Sequence, residues 1–254
     1  MIEIIEIGCK SNDYFVILQL RNCLLFTLLL MTKELTEYLK EFMLPERYNQ
    51  MLKVLGERTE YILPVVENLN QSHNANAVIR TCECLGFQRL TVIENYHEFL
   101  INREVCMGST KWIDIERFNS RDDNTEECIT ALKERGYRIV ATSPHPTKGV
   151  SLEDFDLEKG KCAFLFGSEK PGLTKKALSM ADEFVTIPMY GFTESFNISV
   201  SCALILYNLR QRLNASNIDY HLSEQQHYEI LLDWMRKSIR ECDKIIARRE
   251  SASR

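Results

Sequence analysis

The chain has 254 residues, of which 45% are hydrophobic and 26% charged, with 31 basic against 36 acidic side chains, ten glycines and six prolines. That composition excludes collagen, low-complexity disorder and a fibrous rod, and suits one globular domain with or without helical extensions. The net charge of −5 argues against a uniformly basic nucleic-acid-binding domain, although a chain-wide sum hides local patches.

Residues 14–31, YFVILQLRNCLLFTLLLM, are the most apolar stretch. Arg21 and Asn22 interrupt it. A central arginine costs roughly 2.5–3.5 kcal/mol on insertion scales, so a membrane span is not expected. Glu3, Glu6 and Asp13 outnumber Lys10 ahead of it, and TKELTEY follows it, which is not the pattern of a signal peptide. Met31 opens an amphipathic helical pattern, with Thr32 as N-cap and Leu35, Leu39, Phe42 and Met43 on one face. Residues 1–30 therefore read as an apolar leader added by an upstream start, with Met31 as the natural one.

Residues 31–60 read as a helical extension broken near Pro45. From Tyr61 onward β-rich runs alternate with helical periodicity. The runs are 61–69, 89–95, 111–118, 137–143, 162–167 and 183–189, and the helices lie near 74–86, 122–135, 173–181 and 196–213. Such alternation predicts an α/β domain over 61–213, a mostly parallel sheet with flanking helices. Sheets of this kind bind ligands at the carboxyl ends of their strands.

Residues 214–254 form a C-terminal extension. From about Ser223 it reads as one further helix with Leu231, Leu232, Met235 and Ile239 as an apolar stripe, suited to a subunit contact. From Met235 on, seven basic residues face three acidic ones, so this tail carries +4 and the rest −9. Arg236, Lys237 and Arg240 begin the basic run. It is either a solvated helix face or a phosphate-contacting arm.

Three motifs sit at predicted strand ends. The first, residues 70–87, opens a helix and places Asn74 and Arg80 six apart, both toward the helix start. They suit a phosphate or sugar oxygen, but taken alone the motif is better explained by Ser72 or Asn74 as a plain cap and Arg80 in a surface ion pair, since caps are common. The second, FLFGSEKPGLT (164–174), spaces Gly167 and Gly172 like a phosphate-binding loop, yet Leu173 stands where the lysine is required. The nucleoside-triphosphate reading fails there, while the glycines still permit close backbone approach to a ligand and Glu169 falls at the strand's end. The third, residues 187–209, runs from Pro188 through Gly191, Glu194, Ser195 and Asn197 into a long apolar helix. Ser195 or Asn197 is at least a candidate cap, and polar loops at such places more often hold ligands than core.

The order N-x5-R, then F-G-x-E-x-x-G-L, then I-P-M-x-G-x-x-E-S-x-N-x-S-V closely resembles the SpoU-type (SPOUT) RNA ribose 2′-O-methyltransferases. Within them it is most similar to the group that methylates guanosine-18 of tRNA. The resemblance implies a deep trefoil knot at the carboxyl end of the α/β domain, a homodimer, and S-adenosylmethionine (AdoMet) as cofactor. It implies cofactor contacts, mainly through backbone, at Thr142, Gly167, Ile187 and Phe196. It implies Arg80, Asn74, Glu169, Ser195 and Asn197 as the catalytic set. Arg80 is then either the general base or the group that binds a phosphate and stabilises the developing alkoxide; a guanidinium yields its proton at high cost, which favours the second role. Arg80, Lys111, Arg236, Lys237 and Arg240 are the expected RNA contacts. Methylation of rRNA or of another tRNA position, and a catalytically silent RNA-binding relative, are the alternatives.

The nine cysteines are scattered, odd in number and without a C-x-x-C pair, and the five histidines are isolated. They read as reduced thiols of a cytoplasmic protein, with no metal site.

Overall fold

The computed structural model describes residues 27–102, 108–144 and 149–252. Most of the apolar leader, Cys9, Cys23, Cys106 and Arg254 lie outside the described residues. The chain forms two compact units, one of residues 56–222 and one of residues up to 55 together with 223 onward.

The larger unit is built on seven strands: β1 (Ile62–Glu67), β2 (Arg89–Ile93), β3 (Asp114–Phe118), β4 (Arg138–Thr142), β5 (Val150–Ser151), β6 (Cys162–Phe166) and β7 (Glu183–Thr186). Their order is β3-β2-β1-β6-β4-β7-β5, and every pairing is parallel. The central strands β1 and β6 are buried at every position, as expected where both faces of a sheet are covered.

Side-chain alternation divides the core in two. Ile62 and Val66 of β1 and Cys162, Phe164 and Phe166 of β6 pack with α3 (Ser72–Cys84) and α6 (Ile198–Asn214). Leu63, Val65, Ala163 and Leu165 face the other way, against α4 (Thr125–Glu134) and α5 (Lys175–Met180). Each fully buried Phe or Leu contributes roughly 1.5–3 kcal/mol from apolar surface removed from water. All six predicted strands and four predicted helices of this unit are present.

Two elements differ from expectation. The run 111–118 is strand only from Asp114, because a short 3₁₀ turn (Ser109–Lys111) precedes it. The two-residue edge strand β5 is too short to leave a period in the sequence. At the amino ends of the strands, Gly86 takes φ +81, and a Cβ there would lie 2.7 Å from the Glu57 carbonyl oxygen. The β2 entrance thus requires glycine on both counts.

The smaller unit contains α1 (27–40), α2 (Pro45–Gly56), α7 (Glu224–Ser238) and α8 (Cys242–Ala252). Thr32 does not cap a helix starting at Met31: it lies inside α1, and its hydroxyl donates to the Leu28 carbonyl at 2.8 Å. Leu28, Leu29 and Leu30 are good helix formers, so the helix already runs through them. The C-terminal segment is two helices, not one, broken where Glu241 takes φ +55. Ser223 caps α7 with a reciprocal Gln226 capping box. Leu231 and Met235 are fully buried, so the stripe on α7 is not the free face that a subunit contact needs. Among the described residues, no helix is long and apolar enough to cross a membrane.

The Arg135 guanidinium donates twice to Glu116, at 2.6 and 2.8 Å. That hydrogen-bonded pair holds the Glu116 carboxyl below its usual range. A carboxyl depressed in the folded state stabilises fully above its unfolded pKa, near ~4.3, and loses that contribution as pH falls through the folded value. Urea melts are therefore expected to show a smaller stability loss between pH 7 and pH 3.5 for Glu116→Gln than for the parent chain.

Candidate functional site

The carboxyl ends of the strands bring the three motifs together. Asn74 lies in the first turn of α3 and is 1% exposed. Its amide nitrogen donates to Glu169 Oε1 at 2.7 Å and to Gln71 Oε1 at 2.8 Å. Asn197, at the start of α6, donates its amide nitrogen to the same Glu169 oxygen at 3.0 Å and to Asn74 Oδ1 at 3.2 Å. Its own Oδ1 accepts from the Ser199 backbone N–H at 2.9 Å, which caps α6. One residue from each motif thus meets on a single carboxylate.

Both amide groups have their N–H bonds committed, so their orientations are fixed by the cluster itself. Glu169 Oε2 has no partner among the described residues and is the acceptor left open. Asn74 and Glu169 reach each other over 95 residues because β1 and β6 are neighbours, with Val66 opposite Phe166. The expected alternatives at the helix starts resolve accordingly. Neither Ser72 nor Asn74 caps α3, whose N-cap is Gln71. Asn197 is a cap and a member of the cluster at once.

The loop that carries Glu169 is closed tightly. A Cβ at Gly167 would lie 2.2 Å from the Leu173 backbone nitrogen and 2.3 Å from the Gly172 carbonyl carbon. The close approach that Gly167 permits is therefore to its own loop. The loop ends at Thr174, the N-cap of α5, which accepts from the Ala177 N–H.

Arg80 stands apart from these contacts. Six residues correspond to about one and two-thirds helical turns, so Arg80 begins the last third of α3 rather than its start, and it faces solvent while Asn74 faces inward. It makes no hydrogen bond or ion pair among the described residues. Ser195 is exposed and likewise unpaired among them.

Thr142 ends β4, and Gly167 and Ile187 directly follow β6 and β7; the three strands adjoin, in a register that sets Ala141 beside Leu165 and Thr142 beside Val185. The Thr142 hydroxyl donates to the Leu165 carbonyl at 2.8 Å. Ile187 is half-buried against the core, and Phe196 is 41% exposed just before α6. Lys111 closes the 3₁₀ turn, its ammonium 4.7 Å from the Trp112 ring centre. Arg236 and Arg240 are exposed in the smaller unit, where Lys237 is paired with Asp233 at 2.5 Å.

Three of the buried thiols are held unreactive. Burial pushes Cys82 and Cys128 above the usual thiol range and Cys162 up to about 12, so they stay neutral and unreactive. Among the described residues no group of His, Cys, Asp and Glu is placed to hold a metal ion.

Sequence reasoning missed one buried carboxylate. Glu67, the last residue of β1, is fully buried. Its Oε2 accepts from the Thr174 backbone N–H at 2.7 Å, and its Oε1 accepts from the hydroxyls of Thr174 and Thr125 at 2.8 and 2.6 Å. The signal available was a lone acid ending an otherwise apolar buried strand.

Residues 62–207 match the sequence profile of the SpoU rRNA methylase family. The chain is 41% identical over 202 residues to the tRNA (guanosine(18)-2′-O)-methyltransferase of Borreliella burgdorferi, covering 80% of this chain and 90% of that one. It is 32% identical over 193 residues to the protein of the same name from Thermus thermophilus, covering 75% of this chain and 96% of that one. The crystal structure of the A. aeolicus TrmH/SpoU tRNA modifying enzyme superposes with a TM-score of 0.68 at 28% identity, covering 77% of this chain and 98% of that one. Motif order, parallel topology and sequence identity agree, and the chain belongs to the SpoU rRNA methylase family.

Proposed function

We propose that the chain transfers the methyl group of AdoMet to the ribose 2′-OH of guanosine-18 in the D-loop of tRNA. The observation that carries this reading is the meeting of Asn74, Glu169 and Asn197, one from each motif, at the carboxyl edge of the sheet. The guanosine-18 relatives, matched over most of their length, favour tRNA over other RNAs. Retention of Arg80, Glu169 and Asn197 opposes a silent RNA-binding role.

The residues after β4, β6 and β7 fit a cofactor held chiefly by backbone. Thr142, Gly167 and Ile187 stand at the carboxyl ends of three neighbouring strands, which supports main-chain contacts there, with half-buried Ile187 and exposed Phe196 as apolar walls. When bound there, AdoMet supplies an electrophilic methyl group. This chain's residues supply the positioning. Asn74 and Asn197 fix Glu169, whose open Oε2 accepts a hydrogen bond from the bound reactants. Arg80, charged and uncommitted, binds a substrate phosphate and stabilises the alkoxide as the 2′-OH passes its proton to solvent water. Ser195, exposed two residues before Asn197, supplies the remaining hydroxyl of the set. Orientation of this kind is worth roughly 7–11 kcal/mol in favourable cases.

Lys111, Arg236, Lys237 and Arg240 contribute phosphate contacts, and the L-shape of tRNA supplies the rest of recognition. The reading includes a trefoil knot in the β6–α6 region, supported by the placement of β6 between β1 and β4 with β7 beyond β4. It also includes a homodimer, supported by the exposed stripe Val200, Leu204 and Tyr207 on α6, and a cytoplasmic location, where tRNA is modified.

The test is incubation with labelled AdoMet and bulk tRNA, followed by nucleoside analysis and position mapping. The expected product is 2′-O-methylguanosine at position 18. Label at another tRNA or rRNA position would move the substrate, and absence of any 2′-O-methylnucleoside would overturn the reading.

A further inference from the structure

We infer that Glu67 is a positioning residue for the methyl donor, acting through the 167–174 loop; the inference rests on the AdoMet reading above. Parity along β1 sends Leu63, Val65 and Glu67 to the same face of the sheet, the one covered by α4 and α5. On that face Leu63 and Val65 are ordinary core. Glu67 is a fully buried carboxylate in the same row, and an acid at such a place is costly unless every lone pair is used.

Three donors converge on it. The Thr174 N–H and Thr174 hydroxyl come from the far end of the loop, and the Thr125 hydroxyl comes from the first turn of α4. Thr125 in turn accepts from Asn95 at 2.8 Å, so the carboxylate sits at the head of a buried polar chain rather than alone. None of the three donors belongs to the Asn74–Glu169–Asn197 cluster.

The loop has an anchor at each end, in addition to the two asparagine contacts of Glu169. At its start, Gly167 continues β6 and packs against Leu173 and Gly172. At its end, Thr174 is tied to Glu67 by two hydrogen bonds. Glu169 lies between those anchors. β1 and β6 are adjacent in the sheet, so the Glu67 tie fixes the loop's return relative to the strand from which it left. The residue after Glu67 is locked as well. Asn68 takes φ +55, and its Oδ1 accepts from the backbone N–H groups of Asn95 and Tyr96 at 2.9 and 3.1 Å. The end of β1 therefore does not yield, and the loop is held against a rigid post. Loss of the Glu67 carboxylate frees the end of the loop and with it the orientation of Glu169 and of the main chain at Gly167.

Isothermal titration of the full chain with AdoMet separates this role from plain stability. Glu67→Leu is expected to weaken AdoMet binding about tenfold or more, the scale of hydrogen bonds to a charged group, with the stoichiometry of binding unchanged. Glu67→Gln is expected to stay within about threefold, because its amide oxygen can keep the Thr174 N–H while the two hydroxyls turn to accept from its nitrogen. Leu132→Ala, a core change in α4 two turns beyond Thr125, is expected to lower the melting temperature and leave the affinity unchanged. Should Glu67→Leu fail to fold, Thr174→Val removes one of the two ties and is expected to weaken binding about fivefold. Amide exchange of residues 167–174 in the free protein is expected to quicken in Glu67→Leu and not in Leu132→Ala. If Glu67→Leu lowers only stability or stoichiometry and keeps the parent affinity, the inference is overturned. If the parent chain itself binds no AdoMet, the functional reading fails instead, and the two failures are told apart by that single control.

Discussion

Arg80→Ala is expected to lower methyl transfer to tRNA by about 10²–10³-fold, the usual loss when one preorganised oxyanion donor is removed, while AdoMet affinity changes by no more than about threefold and the melting temperature barely moves. The side chain faces solvent on α3 and has no hydrogen bond or ion pair among the described residues, so its removal leaves no buried group unpaired, and surface changes of that kind typically shift stability by about 0.5 kcal/mol or less. Its helix is nonetheless held firmly at the site end, where Asn74 is tied to Glu169 and Gln71. An arginine kept free on a fixed helix suits a ligand that arrives with its own negative charge. Guanidinium groups remain protonated across the working pH range of enzymes, so in the proposed reaction the charge serves the phosphate and the developing alkoxide rather than proton removal. Single-turnover transfer of labelled methyl to tRNA, set beside a titration with AdoMet alone, checks both halves. Turnover retained at the parent rate would remove Arg80 from the chemistry.

The sheet was legible because its central strands are buried on both faces and so write continuous apolar runs, such as 61–69 and 162–167, between helical segments. The site was legible for a related reason. In a parallel sheet the loops at the carboxyl ends carry the polar and glycine-rich segments, and three such segments stood out against apolar neighbours. What they did not disclose was geometry. Asn74 and Arg80 share a motif, yet helical rotation turns one inward and the other to solvent. Gly167 was read as permitting close approach of a ligand, and its lack of a side chain also lets its own loop close. Glu67 escaped notice because a single acid at a strand end has no periodic signature, and its meaning comes from donors 58 and 107 residues away. The stripe on α7 was read as a contact face because amphipathicity does not say what covers it; Leu231 and Met235 are already covered, and the exposed apolar stripe lies on α6. The net charge of −5 was the least informative quantity, since it sums a +4 tail and a −9 body.

Gly167→Ala is expected to abolish measurable AdoMet binding and methyl transfer while lowering stability by roughly 1–3 kcal/mol, the range of overpacked sites. The new Cβ would stand 2.2 Å from the Leu173 nitrogen, 2.3 Å from the Gly172 carbonyl carbon and 2.7 Å from its oxygen. All three are backbone atoms, so no side-chain rotation relieves the contact, and the loop itself must open. Opening moves Leu173 away from Gly167 and carries Glu169, which lies between them, off the two asparagine amides. The Thr174 end cannot follow freely, because Glu67 holds it by two hydrogen bonds. The strain therefore falls on residues 168–173, the segment that carries Glu169. Gly136→Ala supplies the control. Gly136 has φ +84 and open space around its missing Cβ, so alanine there costs backbone strain alone, of order 1–2 kcal/mol, at a turn between α4 and β4 remote from the loop. The two variants are expected to melt at similarly reduced temperatures and to differ in titration, with Gly136→Ala binding AdoMet like the parent chain. Equal affinities in both would show that the closed form of the 167–174 loop is not what the cofactor requires.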